Sequence, residues 1–139
     1  MKVLGLNGRT YNVNLDNYLV RRDSTMNRSQ YHLRAREILR DMFKGYSIFE
    51  EVKLPGSRDP SKKSTLFLDF LIPNMDIAVE VHGQQHYEFS RFFHKTRAGY
   101  REAQRRDAIK AEWCEVNDLD LIVLKYSDSV DQWRSQIAS

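Results

Sequence analysis

The stretch 66–87, LFLDFLIPNMDIAVEVHGQQHY, decides how the rest of the chain is read. Two apolar runs, LFLDFLI (66–72) and DIAVEVHG (76–83), flank the short turn Pro73-Asn74-Met75. Runs of this length, rich in β-branched and aromatic residues and closed by turn formers, predict neighbouring strands buried on both faces. Asp69 and Glu80 are the exceptions, one in each strand. An ionised carboxylate in an apolar strand is costly unless it meets a cation or hydrogen-bond donors. If the strands pair through the Pro73 turn, both carboxylates reach one place in the sheet. There they repel unless protonated or bridged by a metal, and oxygen ligands suit Mg²⁺ or Mn²⁺.

Gly83 ends the second strand and lets backbone approach a ligand closely. His86 then sits on the following loop at the sheet's end, where an imidazole can move a proton in either direction near neutral pH. His82 and His86 with Glu80 make an alternative zinc set. His94 and His32 are weaker candidates, read as surface residues or phosphate contacts. A long helix is predicted over Tyr100–Asn117, with Tyr100, Ala103, Asp107, Ala111 and Cys114 on one face. Asp107 is the acid in that small, apolar stripe and needs a partner. His86 is an economical one, since an acid that orients an imidazole fixes its tautomer; a salt bridge to Arg105 or Arg106 is the competing explanation. Arg97, Arg101, Arg105 and Lys110 offer phosphate contacts from this helix and the loop before it, and Lys62 and Lys63 extend the set from the basic loop GSRDPSKKS (56–64).

Working outward, MKVLGLNGRTYNVNL alternates about Asn7-Gly8, which predicts a two-residue hairpin between strands near Lys2–Leu6 and Arg9–Asn14. A connector follows, then a helix over Arg28–Lys44 capped by Asn27 or Ser29 and stopped at Gly45. Its core face is Tyr31, Ala35, Ile38, Leu39 and Met42, with Glu37 on the flank. YSIFEEVKL (46–54) and DLDLIVLKY (118–126) read as further strands, and a short last helix is capped by Ser127 or Asp128. The expected architecture is α/β: a hairpin and connector over 1–26, then an αβββαβα domain over 27–139 with a mixed central sheet flanked by helices.

Composition bounds the class. A chain of 139 residues, 41% hydrophobic and 29% charged, fits one soluble domain. No apolar run approaches the ~20 residues of a membrane span, and Gly5, Asn7 and Gly8 interrupt the N-terminus before a signal-peptide core forms. The single cysteine, Cys114, excludes an internal disulfide and suits a reducing, cytoplasmic setting. The net charge of +3 hides segregation: residues 21–44 hold seven Arg/Lys against three acids, 91–110 seven against two, and 111–139 two against six. That asymmetry fits a polyanion met by one face; a solvated helix surface is the plainer alternative.

Taken together, LDF, AVEVHGQQHY, the basic loop, QRRDAIKAEWC and LIVLKY resemble the nuclease core of the very-short-patch repair endonuclease and of the EDxHD phage homing endonucleases, within the PD-(D/E)xK superfamily. The resemblance covers about Arg28 to Tyr126. It implies a restriction-endonuclease-like fold in a bacterial or phage-infected cell, and Mg²⁺-dependent hydrolysis of a DNA phosphodiester. The family's four positions fall on Glu37, Asp69, His86 and Asp107. Asp69 would bind the metal, with the Val81 carbonyl or the Glu80 carboxylate as second ligand. His86 would act as acid or base supported by Asp107, and Glu37 would reach in from the first helix. The superfamily's ExK lysine is missing, with His82 in its place, and neither an appended DNA-binding domain nor a zinc cluster is present. A non-catalytic DNA-binding module on the same fold is the competing function, and a protein-binding domain leaves the two buried aspartates unexplained. RNA satisfies the same features as DNA. One site makes one nick, so a homodimer is one route to a double-strand break.

Overall fold

Pro73 opens a single 3-10 turn, Pro73–Met75, which Asp76 ends in the left-handed region at φ +53°. In the computed structural model, which describes residues 1–19, 28–59 and 64–139, this corner folds β4 (Leu66–Ile72) against β5 (Ile77–His82). The two are antiparallel, with Phe70 opposite Val79 and Ile72 opposite Ile77. β3 (Phe49–Leu54) pairs antiparallel with the far side of β4, and β6 (Asp120–Lys125) pairs parallel with β5. The sheet is therefore mixed, in the order β3-β4-β5-β6. A parallel neighbour needs a long crossover, and α3 (Arg97–Val116) supplies it.

α1 (Gln30–Met42) starts where the Ser29 hydroxyl accepts the His32 N–H. The other predicted cap, Asn27, lies outside the described residues, as do Lys62 and Lys63. A one-turn helix, α2 (Arg91–His94), occurs in the loop expected before the long helix. The last helix, α4 (Val130–Ala138), is capped by Ser129 rather than by Ser127 or Asp128. Ser129 alone has Gln132 three residues ahead of it to reach back and close the reciprocal pair of cap hydrogen bonds.

Two apolar clusters cover the sheet. One joins Leu68, Leu71 and Ala78 to Trp113 and Cys114 of α3. The other joins Phe70, Ile72 and Val79 to Ala35, Ile38 and Leu39 of α1 and to Trp133 and Ile137 of α4. Both tryptophans are fully buried and spend their indole N–H on a carbonyl, Trp113 on Pro55 and Trp133 on Lys125, each at 2.9 Å.

β1 (Lys2–Leu4) and β2 (Thr10–Asn12) form the N-terminal hairpin. Its turn is a correction: Gly5 N–H reaches the Arg9 carbonyl at 2.8 Å across three residues, and only Gly8 has positive φ, at +82°. Asn7 works through its side chain instead, accepting the Arg9 N–H and donating to the Tyr11 hydroxyl. The hairpin packs into the α3-side cluster through Val3. Asn117 bonds both backbone groups of Leu4, and a side chain at Gly5 would meet the Gly56 Cα at 2.8 Å. No helix among the described residues is long and apolar enough to cross a membrane.

Candidate active site

The pairing of β3 with β4 skips one residue on each strand. Glu50 faces Phe70 and Val52 faces Leu68, but Glu51 and Asp69 between them make no ladder contact. Glu51 stands at φ +53°, a conformation rare for a non-glycine residue in a strand. The pleat reverses at this level. Phe49 and Val52, three apart, join the same core cluster, as do Leu68 and Leu71, whereas a regular strand would send them to opposite faces.

The β4–β5 ladder also stops here, at Phe70–Val79. The next two residues are Asp69 and Glu80, and their side chains replace the missing backbone bonds. Asp69 N–H donates to Glu80 Oε2 and Val81 N–H donates to Asp69 Oδ2, both at 2.8 Å. The strands thus part at two facing carboxylates. Glu80, only 2% exposed, is neutralised by Lys110 of α3, whose Nζ donates to Oε1 at 2.7 Å. Burial opposes the Lys110 ammonium, but Glu80 outweighs it and raises the lysine above its ordinary pKa. For Asp69, burial first and the Glu80 charge second hold the carboxyl well above its usual range.

At the end of β5, His86 Nδ1 lies 2.8 Å from Asp107 Oδ2 on α3. His82 stacks on His86 with ring centroids 3.9 Å apart and planes 8° from parallel, and its Nε2 is 3.9 Å from Asp107 Oδ1. Burial, reinforced by His86, holds His82 below its ordinary pKa, so it favours the neutral ring. The Tyr87 hydroxyl is 3.3 Å from His82 Nδ1. A third group lies under α1: His32 and Arg36 both bond Glu50, and His32 has a ring nitrogen near the carboxylates of Glu51 and Asp69. Burial raises the Glu50 pKa, but the bonds from His32 and Arg36 overcome it and lower the carboxyl on balance.

The structure brings Asp69, Glu80 and Val81 together, and places His86 against Asp107. It does not bring in Glu37, which is exposed on α1, about 140° around the helix from His32 by the ~100° step per residue. A surface depression lined by Leu33, Arg40 and Lys44 surrounds it instead. Lys110 is also corrected, from a phosphate contact to an inward partner of Glu80, and Ala111 is exposed rather than on the packed stripe. His32, read as a surface group, is 5% exposed. Arg97, Arg101 and Arg105 are exposed as expected, and the segment leading to them displays Phe92 and Phe93 at 86% and 58% exposure. The places of His32 and Glu51 in the site, and the inward role of Lys110, are what the sequence reading missed. The spacing of His32, Arg36 and Leu39, one helical face, was a usable signal for the first; the left-handed backbone at Glu51 has no signature in a run such as FEEVKL.

No family model matches this chain, and no solved structure does. It is 33% identical over 76 residues to uncharacterized protein 307L of Invertebrate iridescent virus 6, across 55% of this chain and 39% of that one. It is 34% identical over 70 residues to uncharacterized protein 033L of Invertebrate iridescent virus 3, across 50% and 36%. With uncharacterized protein 094L of Frog virus 3 (isolate Goorha) the identity is 32% over 80 residues, across 57% and 52%. The chain thus spans between 36% and 52% of the length of these viral relatives.

Proposed function

We propose that the chain is a metal-dependent nuclease that hydrolyses phosphodiester bonds of DNA on a restriction-endonuclease-like scaffold. The observation that carries this reading is the parting of β4 and β5 at Asp69 and Glu80, beside the His86–Asp107 pair and Lys110 of the basic helix. The donors fit Mg²⁺ or Mn²⁺. Asp69 is a half-buried carboxylate whose pKa burial and the Glu80 charge raise, so a cation offsets the cost of its charge, and Glu51 stands beside it. Asp69 would hold the ion with the Val81 carbonyl or Glu51. When bound, the ion supplies charge stabilisation at the phosphate and a more acidic water.

The protein's own groups divide the remaining work. Glu80 is occupied with Lys110, so it serves to anchor an ammonium inside the site, where it offsets the charge of the facing carboxylates. The Asp107 carboxylate fixes the tautomer of His86 with its proton on Nδ1, which leaves Nε2 to take or give a proton. Arg97, Arg101 and Arg105 hold the nucleic-acid backbone.

The test is a plasmid nicking assay with Mg²⁺ or Mn²⁺. Wild type should nick, EDTA should stop it, Asp69→Ala should abolish it, and His86→Ala should slow it by about 10²–10⁴-fold. Nicking that ignores EDTA or survives Asp69→Ala overturns the mechanism. Salt-sensitive binding with no cleavage of duplex, flap or junction DNA would instead make the chain a binding module, and preferential cleavage of RNA would move the substrate class.

A further inference from the structure

Arg36 grips Glu50 with two hydrogen bonds of 2.9 Å, fixing that carboxylate as an anion at 3% exposure. A carboxylate only accepts, so His32 Nε2, 2.6 Å from it, carries the ring proton and donates. That bond leaves Nδ1 uncommitted to Glu50. Phe70 stacks on the ring with centroids 4.4 Å apart, so its plane is fixed as well. A buried imidazole with one nitrogen committed to a carboxylate is the arrangement that stands behind metal-bound histidines, where the outer acid orients the ring and raises its basicity.

Two further ligands face this histidine. A ring nitrogen of His32 and carboxylate oxygens of Glu51 and Asp69 lie within 4.8 Å of one another. Ligands ~2.1 Å from an ion stand roughly 3–4 Å apart, so small side-chain rotations close the set. Among the described residues, the ion pairs around this group go to the adjacent acids Glu50 and Glu80, and none includes Glu51 or Asp69. Glu51 reaches the group from a left-handed backbone at φ +53°, a conformation rare for a non-glycine residue.

We infer that His32, Glu51 and Asp69 form a divalent-cation site whose imidazole ligand selects a transition-metal ion such as Mn²⁺ or Co²⁺ over Mg²⁺. Mg²⁺ takes oxygen ligands and sheds water reluctantly, whereas imidazole suits the first-row transition metals. The inference rests on the nuclease reading only in sharing Asp69 and Glu51, and it concerns binding, not turnover.

The experiment is Mn²⁺ binding to the whole chain, followed by electron paramagnetic resonance, with ¹⁴N modulation of the spin echo reporting an imidazole ligand. Wild type should bind Mn²⁺ about tenfold or more tightly than Mg²⁺ and show the modulation. His32→Gln should lose the modulation and the preference, while His82→Ala/His86→Ala keeps both. Glu50→Gln, which leaves every ligand in place, should weaken Mn²⁺ binding about 10–100-fold. Circular dichroism of each variant separates loss of ligand from loss of fold, and the wild-type modulation needs no variant at all. No modulation in wild type, equal affinities for the two ions, or modulation that vanishes with His82 and His86 instead of His32 overturns the assignment. Mn²⁺ bound as described with no nicking activity leaves the site standing and overturns the nuclease reading; nicking without the nitrogen signal does the reverse.

Discussion

Asp69 is held where its charge is least welcome, enclosed by the sheet and facing Glu80. Its folded pKa is raised, so the stability it contributes is fully present below its unfolded pKa and is lost as pH rises through the folded one. In EDTA, Asp69→Asn should therefore be more stable than wild type at neutral pH by on the order of 1 kcal/mol, because the amide cannot ionise. Thermal melts across acid to neutral pH check this. The gain should shrink on acidification and shrink again when Mn²⁺ is added to both proteins; a difference constant across pH would contradict the cause given. Single residues also mark the limit of the sequence. Asp69 and Glu80 were legible because a charge in an apolar run breaks a pattern. Glu51 was not, since its part depends on a backbone angle, and Glu37 was misplaced because its role came from the resemblance alone, while its flank of the α1 stripe is exposed.

Among the elements, β4, β5 and β6 could be read from composition because buried strands leave little choice of residue. α3 was placed in sequence, and Asp107 and Cys114 of its expected face do turn inward, but Ala111 does not. Its stripe of small residues and Tyr100 has weak contrast, so Ala111 and Lys110, one step of ~100° apart, competed for the same inward face. Glu80 settles the competition, since a buried carboxylate needs an ammonium more than a methyl group needs burial. The outward face keeps Arg101 and Arg105. Reversing both charges should weaken DNA binding without changing metal affinity. It should also reduce the slope of log K against log salt by about 1.8, at ~0.9 for each phosphate that is no longer neutralised. Salt titrations of binding with and without the reversal measure this, and an unchanged slope removes α3 from the footprint.

Across the whole molecule, the two faces of the sheet are sealed by different parts of the chain. α3 and the N-terminal hairpin close one, and α1 with α4 closes the other, on Trp133. Arg34 lies over that indole at 4.2 Å, while the indole N–H holds the end of β6. Trp133→Ala should lower stability by about 3–5 kcal/mol, measurable by urea denaturation. The slope with urea should not change, since the loss falls on packing and not on the surface exposed at unfolding. Such long-range closure was invisible in the sequence, where Trp133 lay in a short tail helix with no assigned partner.

The reversal of the pleat at Glu51 and Asp69 has one more consequence. β3 and β4 each carry two apolar phases that cannot belong to one straight ribbon: Phe49 with Leu71 on one side of the fault, Val52 with Leu68 on the other. Straightening either strand would turn one of those pairs to the opposite face of the sheet, out of the cluster it fills. The fault is therefore written into the core residues around the acids and not into the acids themselves. A chain stripped of both carboxylates would keep the same dislocation, a preshaped notch whose chemistry is filled in afterwards by whatever side chains occupy it.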